Sequence, residues 1–490
     1  MIKFCLSLYA KSPAAYNHLR FDEKNGTGAL ILPSQRTLRD YRNYITPKTG
    51  FNPDIVHDLA TKTKDFTNVE RFVILSFDEM KIQEDLVWNK HTGELVGFVD
   101  LGDEHLNSAT LDKPDSLATH LLVFHIKSVM NPLSFSFACF ATRGVSSYHI
   151  FPLFWRAVCL LELSCNLYVI ATTSDGASSN RGFYKMHKGF VADDGSIVFR
   201  TPNVFASDGR FIYFFADFPH LLKTLRNNLL HSGSVAHSRF MFNQGSHILW
   251  KHISDFFQDD SSSSLRLLPK LTPDHIFLTS YSKMTVKYAA QVLSCSVGKV
   301  LLEFGPKEAK ETANFCLLVD QFFDCGNVRS PNEFKTKRKP FLKPYSSVND
   351  ERFDWLENVF LKYFTDWLEW IHKTHPKMSP ENHARMFISW QTYEGIQISV
   401  KSLINCVRFL LNNGVAYVLT EKFCQDDLEN YFGKQRSLGR RRDNPNMQQC
   451  RINDNIIKSS FSVAPNKGNS RQDQKKWSIS DTPLPKKTRK

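Results

Sequence analysis

Two short apolar runs in this chain each end on an aspartate. FVILSF (Phe72–Phe77) runs straight into Asp78, and LYVIATT (Leu167–Thr173) runs through Ser174 into Asp175. Short runs rich in β-branched and aromatic residues, closed by turn residues, form strands buried on both faces. An acid at the end of such a strand must meet a partner, a metal ion or water. Gly176 permits a sharp turn after the second acid. Two carboxylates at the same end of neighbouring strands could grip a hard cation, because Mg²⁺ takes oxygen ligands. Taken singly, each acid reads more simply as a turn or cap residue.

The runs around these two set the fold class. LVGFV (Leu95–Val99), HLLVFHI (His120–Ile126), SFSFACF (Ser134–Phe140) and FIYFFAD (Phe211–Asp217) read as strands. Ile150–Leu163 and HLLKTLRNNLL read as helices. The pattern predicts an α/β fold, a mixed sheet with helices on its faces. Residues 1–65 read as a helical segment with Ser34 as a cap, and as a possible DNA-binding unit. Residues 66–230 hold the strand-rich first part. Residues 231–405 change texture, with loops around helix-like stretches such as YSKMTVKYAAQVLS and ETANFCLLVDQFFD, and read as an insertion. Residues 406–445 return to the core, and 446–490 read as a basic, disordered tail.

Charge and cysteines narrow the function classes. The net charge is +13, and from Gly433 onward there are 15 Lys and Arg against 4 Asp and Glu. A basic tail ending in PLPKKTRK suits a polyanion partner or a nuclear address. The 10 cysteines are scattered with no CxxC pair, which fits reduced thiols in the cytosol or nucleus. The longest apolar region, Phe151–Thr172, contains Arg156, Glu162 and Asn166, so it reads as a helix and a strand, and no membrane partner is expected. P-loop, HExxH, GxSxG and GxGxxG signatures are missing.

Five motifs in order, LPSQRTLRDY, FDEM, TSDGASSNRGFY, FADFPHLLKTLRNN and QDDLENYFGKQR, resemble the P element transposases and their THAP-domain relatives. The resemblance runs from Met1 to about Pro445. It implies an RNase H-like catalytic core interrupted by a mainly α-helical GTP-binding insertion, with an N-terminal helix-turn-helix-like segment. It also implies three catalytic, metal-binding acids: Asp78 in FDEM, Asp175 in SDG and Glu429 in QDDLEN. The implied activity is cut-and-paste DNA transposition by a DDE-type two-metal mechanism using Mg²⁺ or Mn²⁺. GTP is implied as a cofactor that is not hydrolysed, contacted by Val286 and Lys287 in TVKYAAQ, Asp324 and Asn327 in FFDCGN, and Asp426 in QDDLE. On pattern alone those five are ordinary surface residues. The implied partners are transposon ends, target DNA and further copies of the chain, in the nucleus. The alternative is a domesticated, catalytically idle DNA- or chromatin-binding protein of the same descent. The Cys and His ligands of a zinc-bound THAP domain are missing, which fits a truncated copy or a gene that lost its site-specific reader.

Overall fold

Strand β1 (Phe72–Lys81) carries apolar side chains on both faces, so it needs flanking strands and helical cover on either side. The computed structural model, which describes residues 2–22, 25–42, 48–89, 93–110, 115–190, 197–233, 238–438 and 444–460, supplies both. Five more strands join it: β2 (His120–Ser128), β3 (Ser134–Thr142), β4 (Tyr168–Ser174), β5 (Arg200–Pro202) and β6 (Phe211–Ala216). The order is β3-β2-β1-β4-β6-β5. β2 and β3 are antiparallel neighbours on one side of β1, β4 and β6 run parallel to it on the other, and β5 closes the edge antiparallel to β6. Parallel neighbours need crossovers. The chain makes them through α1 (Ser147–Cys159) and α2 (Ser178–Lys185).

Each face of the sheet has its own core. Val73, Leu75 and Phe77 pack with α1 and α2, where Phe154 and Phe183 join them. Phe72 and Ile74 face the opposite core, built from α3 (Phe218–Leu230), α4 (Lys310–Gly326) and α5 (Trp390–Asn412). β4 does not keep strict alternation. Leu167 and Val169 lie in the first core, but Ile170 and Ala171 both lie in the second. The register against β1 slips at the same place, from Val73↔Val169 to Ile74↔Ala171. This bulge puts Ala171, Thr173 and Asp175 on the face that carries Ile74, Ser76 and Asp78.

The chain between α3 and α5 is mainly helical, with α4 packed on α3. Gly326 makes that approach possible, since a Cβ there would lie 2.1 Å from the Phe218 ring. The helices Ile2–Lys11, Pro13–Leu19 and Gln35–Arg42 share a small core of Cys5, Leu6, Tyr16 and Leu38. Ser34 caps the third, accepting the Thr37 N–H at 3.1 Å.

Two expectations need correction. LVGFV contributes only Glu94–Val96, in a hairpin with Val87–Asn89 outside the main sheet. Gly97 ends it at φ +141, where a Cβ would meet the Asp85 carbonyl. The tail is not irregular throughout. After α6 (Asp426–Leu438), α7 (Met447–Ser460) is a helix that buries Met447, Cys450 and Ile457 beside Leu428, Tyr431 and Met80. Its Asp454 accepts hydrogen bonds from Ser136 (2.6 Å) and Tyr431 (2.9 Å). The rest of the tail, from 461 on, lies outside the described residues.

Candidate active site

Three parallel strands, β1, β4 and β6, run out toward one edge of the sheet, each near an aspartate. Asp78 lies on β1, Asp175 follows β4, and Asp217 follows β6. Ser76 pairs with Thr173, so the same register carried two residues further sets Asp78 abreast of Asp175. Burial, and then the Asp175 charge, push the Asp78 carboxyl up to about 7. One oxygen of Asp175 accepts the Ala177 N–H (2.8 Å) and the Asn180 amide (2.7 Å), which fixes the turn into α2. Among the described residues neither Asp78 nor Asp175 has a Lys or Arg partner, so their repulsion is not neutralised from within the chain.

Asp217 is used differently. It is 1% exposed and caps α3 by accepting the His220 N–H at 3.0 Å. Its second oxygen accepts the Gln425 N–H at 2.9 Å. Gln425 in turn donates its side-chain amide to the Phe77 carbonyl at 3.0 Å, next to Asp78. Thr173 donates to the Phe423 carbonyl at 2.9 Å, and the buried Lys127 of β2 reaches Asp427 at 3.1 Å. The start of α6 is therefore tied to β1, β2, β4 and the end of β6. Burial opposes a charge on His220, yet the hydrogen bond and charge of Asp217 raise its pKa.

Glu429 lies one turn into α6, its N–H bonded to the Gln425 carbonyl at 3.0 Å, and its side chain is exposed. The structure brings Asp78 and Asp175 together and places the helix of Glu429 beside them. Among the described residues, however, no three His, Cys, Asp or Glu side chains stand close enough to hold one ion. The two strand-end acids fit a divalent cation by their chemistry: both are hard oxygen donors, and a cation relieves the repulsion that raises Asp78.

The five residues expected at the nucleotide fall into separate groups. Arg329 joins two of them, donating to Asn327 at 3.2 Å and pairing with Asp426 at 3.0 Å. Asp324 is not an open acceptor, because Lys339 donates to both of its oxygens, at 2.9 and 3.1 Å. Val286 and exposed Lys287 begin another helix, Val286–Val292, which packs on α3. Neither is hydrogen-bonded or ion-paired to Asp324, Asn327 or Asp426. Reading the sequence missed Asp217, His220 and Gln425. Asp217 had a usable signal: FIYFFA ends on an acid just as the other two strands do, and Pro219 follows at a helix start.

Residues 47–188 match the family of TNP-like RNase H N-terminal domains, and residues 219–339 match the family of TNP-like GTP-binding insertion domains. The chain is 24% identical over 481 residues to the Transposable element P transposase of Drosophila melanogaster, covering 93% of this chain and 55% of that one. It is 23% identical over 361 residues to DNA transposase THAP9 of Homo sapiens, covering 71% of this chain and 37% of that one. The chain thus spans about half the length, or less, of these curated relatives. Its fold matches the solved Drosophila P element transposase strand transfer complex with a TM-score of 0.70 and 22% identity, over 93% of this chain and 90% of that one.

Proposed function

Since the chain belongs to the family of P element transposases, with their RNase H-like domain and GTP-binding insertion, we propose that it is a cut-and-paste DNA transposase of DDE type. The observation that carries this reading is the unneutralised pair Asp78 and Asp175, aligned by the β4 bulge and crowded enough to hold Asp78 near 7. In this reading Asp78, Asp175 and Glu429 hold Mg²⁺ or Mn²⁺, with Glu429 entering from α6. Bound metal would activate water or a DNA 3′-hydroxyl and stabilise the leaving oxygen. The chain's own part is positioning: the sheet fixes two carboxylates, and Gln425, Asp217 and Lys127 fix the helix that carries the third. The insertion would bind GTP without hydrolysing it, because the sequence offers no P-loop to cradle the phosphates. The basic C-terminal segment supports work on DNA, in the nucleus, as an assembly of several copies.

One observation favours the second reading, a catalytically idle DNA-binding derivative: Glu429 stands apart from the two aspartates. Divalent-metal-dependent cleavage of DNA carrying the element's ends, with and without a pre-made nick, separates the two. The transposase reading expects cleavage that Asp78→Asn lowers by at least about a hundredfold, with DNA binding within about twofold of wild type. Cleavage unchanged in Asp78→Asn would remove that residue from the active site. No cleavage of either DNA, with tight binding, would establish the idle derivative.

A further inference from the structure

A cavity of about 340 Å³ lies between α3 and the start of α5, and Asp175 and Gly176 form part of its wall. From α3 it takes Asp217, His220, Thr224, Asn227 and His231, which recur every three or four residues and so share one face of the helix. The wall is built in advance. Asn228 clamps the two helices, donating to Thr392 at 3.2 Å and accepting the Ser389 N–H at 2.8 Å. Ala216 and Leu221 give the cavity an apolar side. Asn227 spends its carbonyl on Arg226 at 2.9 Å, so the amide hydrogens are its open end. Gln391, exposed on the first turn of α5, adds a second amide. His220 turns its Nδ1 to Asp217 at 3.3 Å, which makes Nε2 the outward atom.

Hydrogen-bond donors and an apolar wall, beside acids suited to a metal, match a nucleotide: the donors suit phosphate oxygens and the apolar side suits the sugar. The volume lies within the about 300–1,000 Å³ range of small-ligand sites. We propose that this cavity holds the nucleotide flanking the scissile phosphate, with His220 and Asn227 donating to phosphate oxygens and Asp217 acting as the positioning residue for His220. The inference rests on the metal-dependent DNA reading above. It adds a strand-binding site, contiguous with Asp175, that none of the five expected nucleotide contacts shares.

Thymidine 3′,5′-bisphosphate is a suitable probe, titrated by calorimetry into the full chain with Mn²⁺ present. Thymidine alone is the control, and the Mn²⁺-induced rise in melting temperature is recorded separately. Wild type is expected to bind the bisphosphate and not thymidine. His220→Leu should weaken binding about tenfold or more, whereas His220→Gln, which keeps a donor, should stay within about threefold of wild type. Asn227→Ala should weaken it about fivefold. All three variants should keep the Mn²⁺ shift, since none removes a proposed ligand. No bisphosphate binding by wild type, equal affinity in His220→Leu, or equal loss in His220→Gln and His220→Leu overturns the inference. The absence of any Mn²⁺ shift in wild type strikes the metal-site reading instead, so the two failures are told apart.

Discussion

Asp78 and Asp175, near the ends of β1 and β4, and Asp320 and Asp324, one turn apart on α4, are both pairs of carboxylates crowded together under burial. The first pair holds Asp78 near 7, and the second holds Asp324 near 6. Their surroundings differ in one respect. Lys339 donates to all four oxygens of Asp320 and Asp324, at 2.8 to 3.1 Å. No side-chain cation of the chain pairs with Asp78 or Asp175 among the described residues. A raised carboxyl pKa therefore does not by itself mark a ligand site. The informative feature is whether the chain supplies the counter-charge itself or leaves it to something that binds.

Three measurements test that contrast. The largest effect is expected from metal. Mn²⁺ at about a hundred times its dissociation constant should stabilise wild type by about 2.7 kcal/mol. Asp78→Asn and Asp175→Asn should abolish the gain, and Asp324→Asn should leave it intact. A gain that survives Asp78→Asn, or is lost in Asp324→Asn, breaks the contrast. Next comes Lys339→Met, which strands two acids on α4. Breaking a buried ion pair from one side costs about 3–5 kcal/mol, and the partial exposure of Lys339 reduces the expected loss to about 2 kcal/mol in denaturant unfolding. A loss below about 0.5 kcal/mol would mean that Lys339 does not hold the pair together.

The smallest effect concerns the nucleotide. Guanine presents paired N–H donors that a carboxylate can accept, and adenine does not. Because Lys339 already occupies both oxygens of Asp324, a guanine must compete with it, and the preference for GTP over ATP should be only about 1 kcal/mol, several-fold in affinity. Melting titrations should show larger shifts with GTP than ATP in wild type and equal shifts in Asp324→Asn. Equal shifts in wild type, or a preference that survives Asp324→Asn, would take base recognition away from α4.

Much of the architecture could be read along the chain because it is local. The strands at Phe72, His120, Ser134, Tyr168 and Phe211 announce themselves as apolar runs, and the insertion announces itself by a change of texture. The acids that close β1 and β4 stand out because a charge after a buried strand is costly. The C-terminal helix Met447–Ser460 escaped notice for a physical reason. Its buried apolar residues, Met447, Cys450 and Ile457, are diluted among glutamines and asparagines. Asn453 and Asp454 are satisfied there by partners far away in sequence.

The sequence by itself determined that Asp78 and Asp175 end buried strands, since hydrophobic content and turn residues decide that within a few positions. Whether the two acids meet was decided in the tertiary structure. Counting by twos from Val169, Asp175 belongs to the face covered by α1 and α2. Only the slip between Val73 and Ile74, which sends both Ile170 and Ala171 to the other core, turns Asp175 onto the face of Asp78. Side-chain direction in a strand has a period of two, so one extra residue reverses everything that follows it. Such a bulge exists only between two paired strands. The link from Asp217 through Gln425 to Phe77 is likewise tertiary, since it joins residues more than 200 positions apart through groups that carry no local signal.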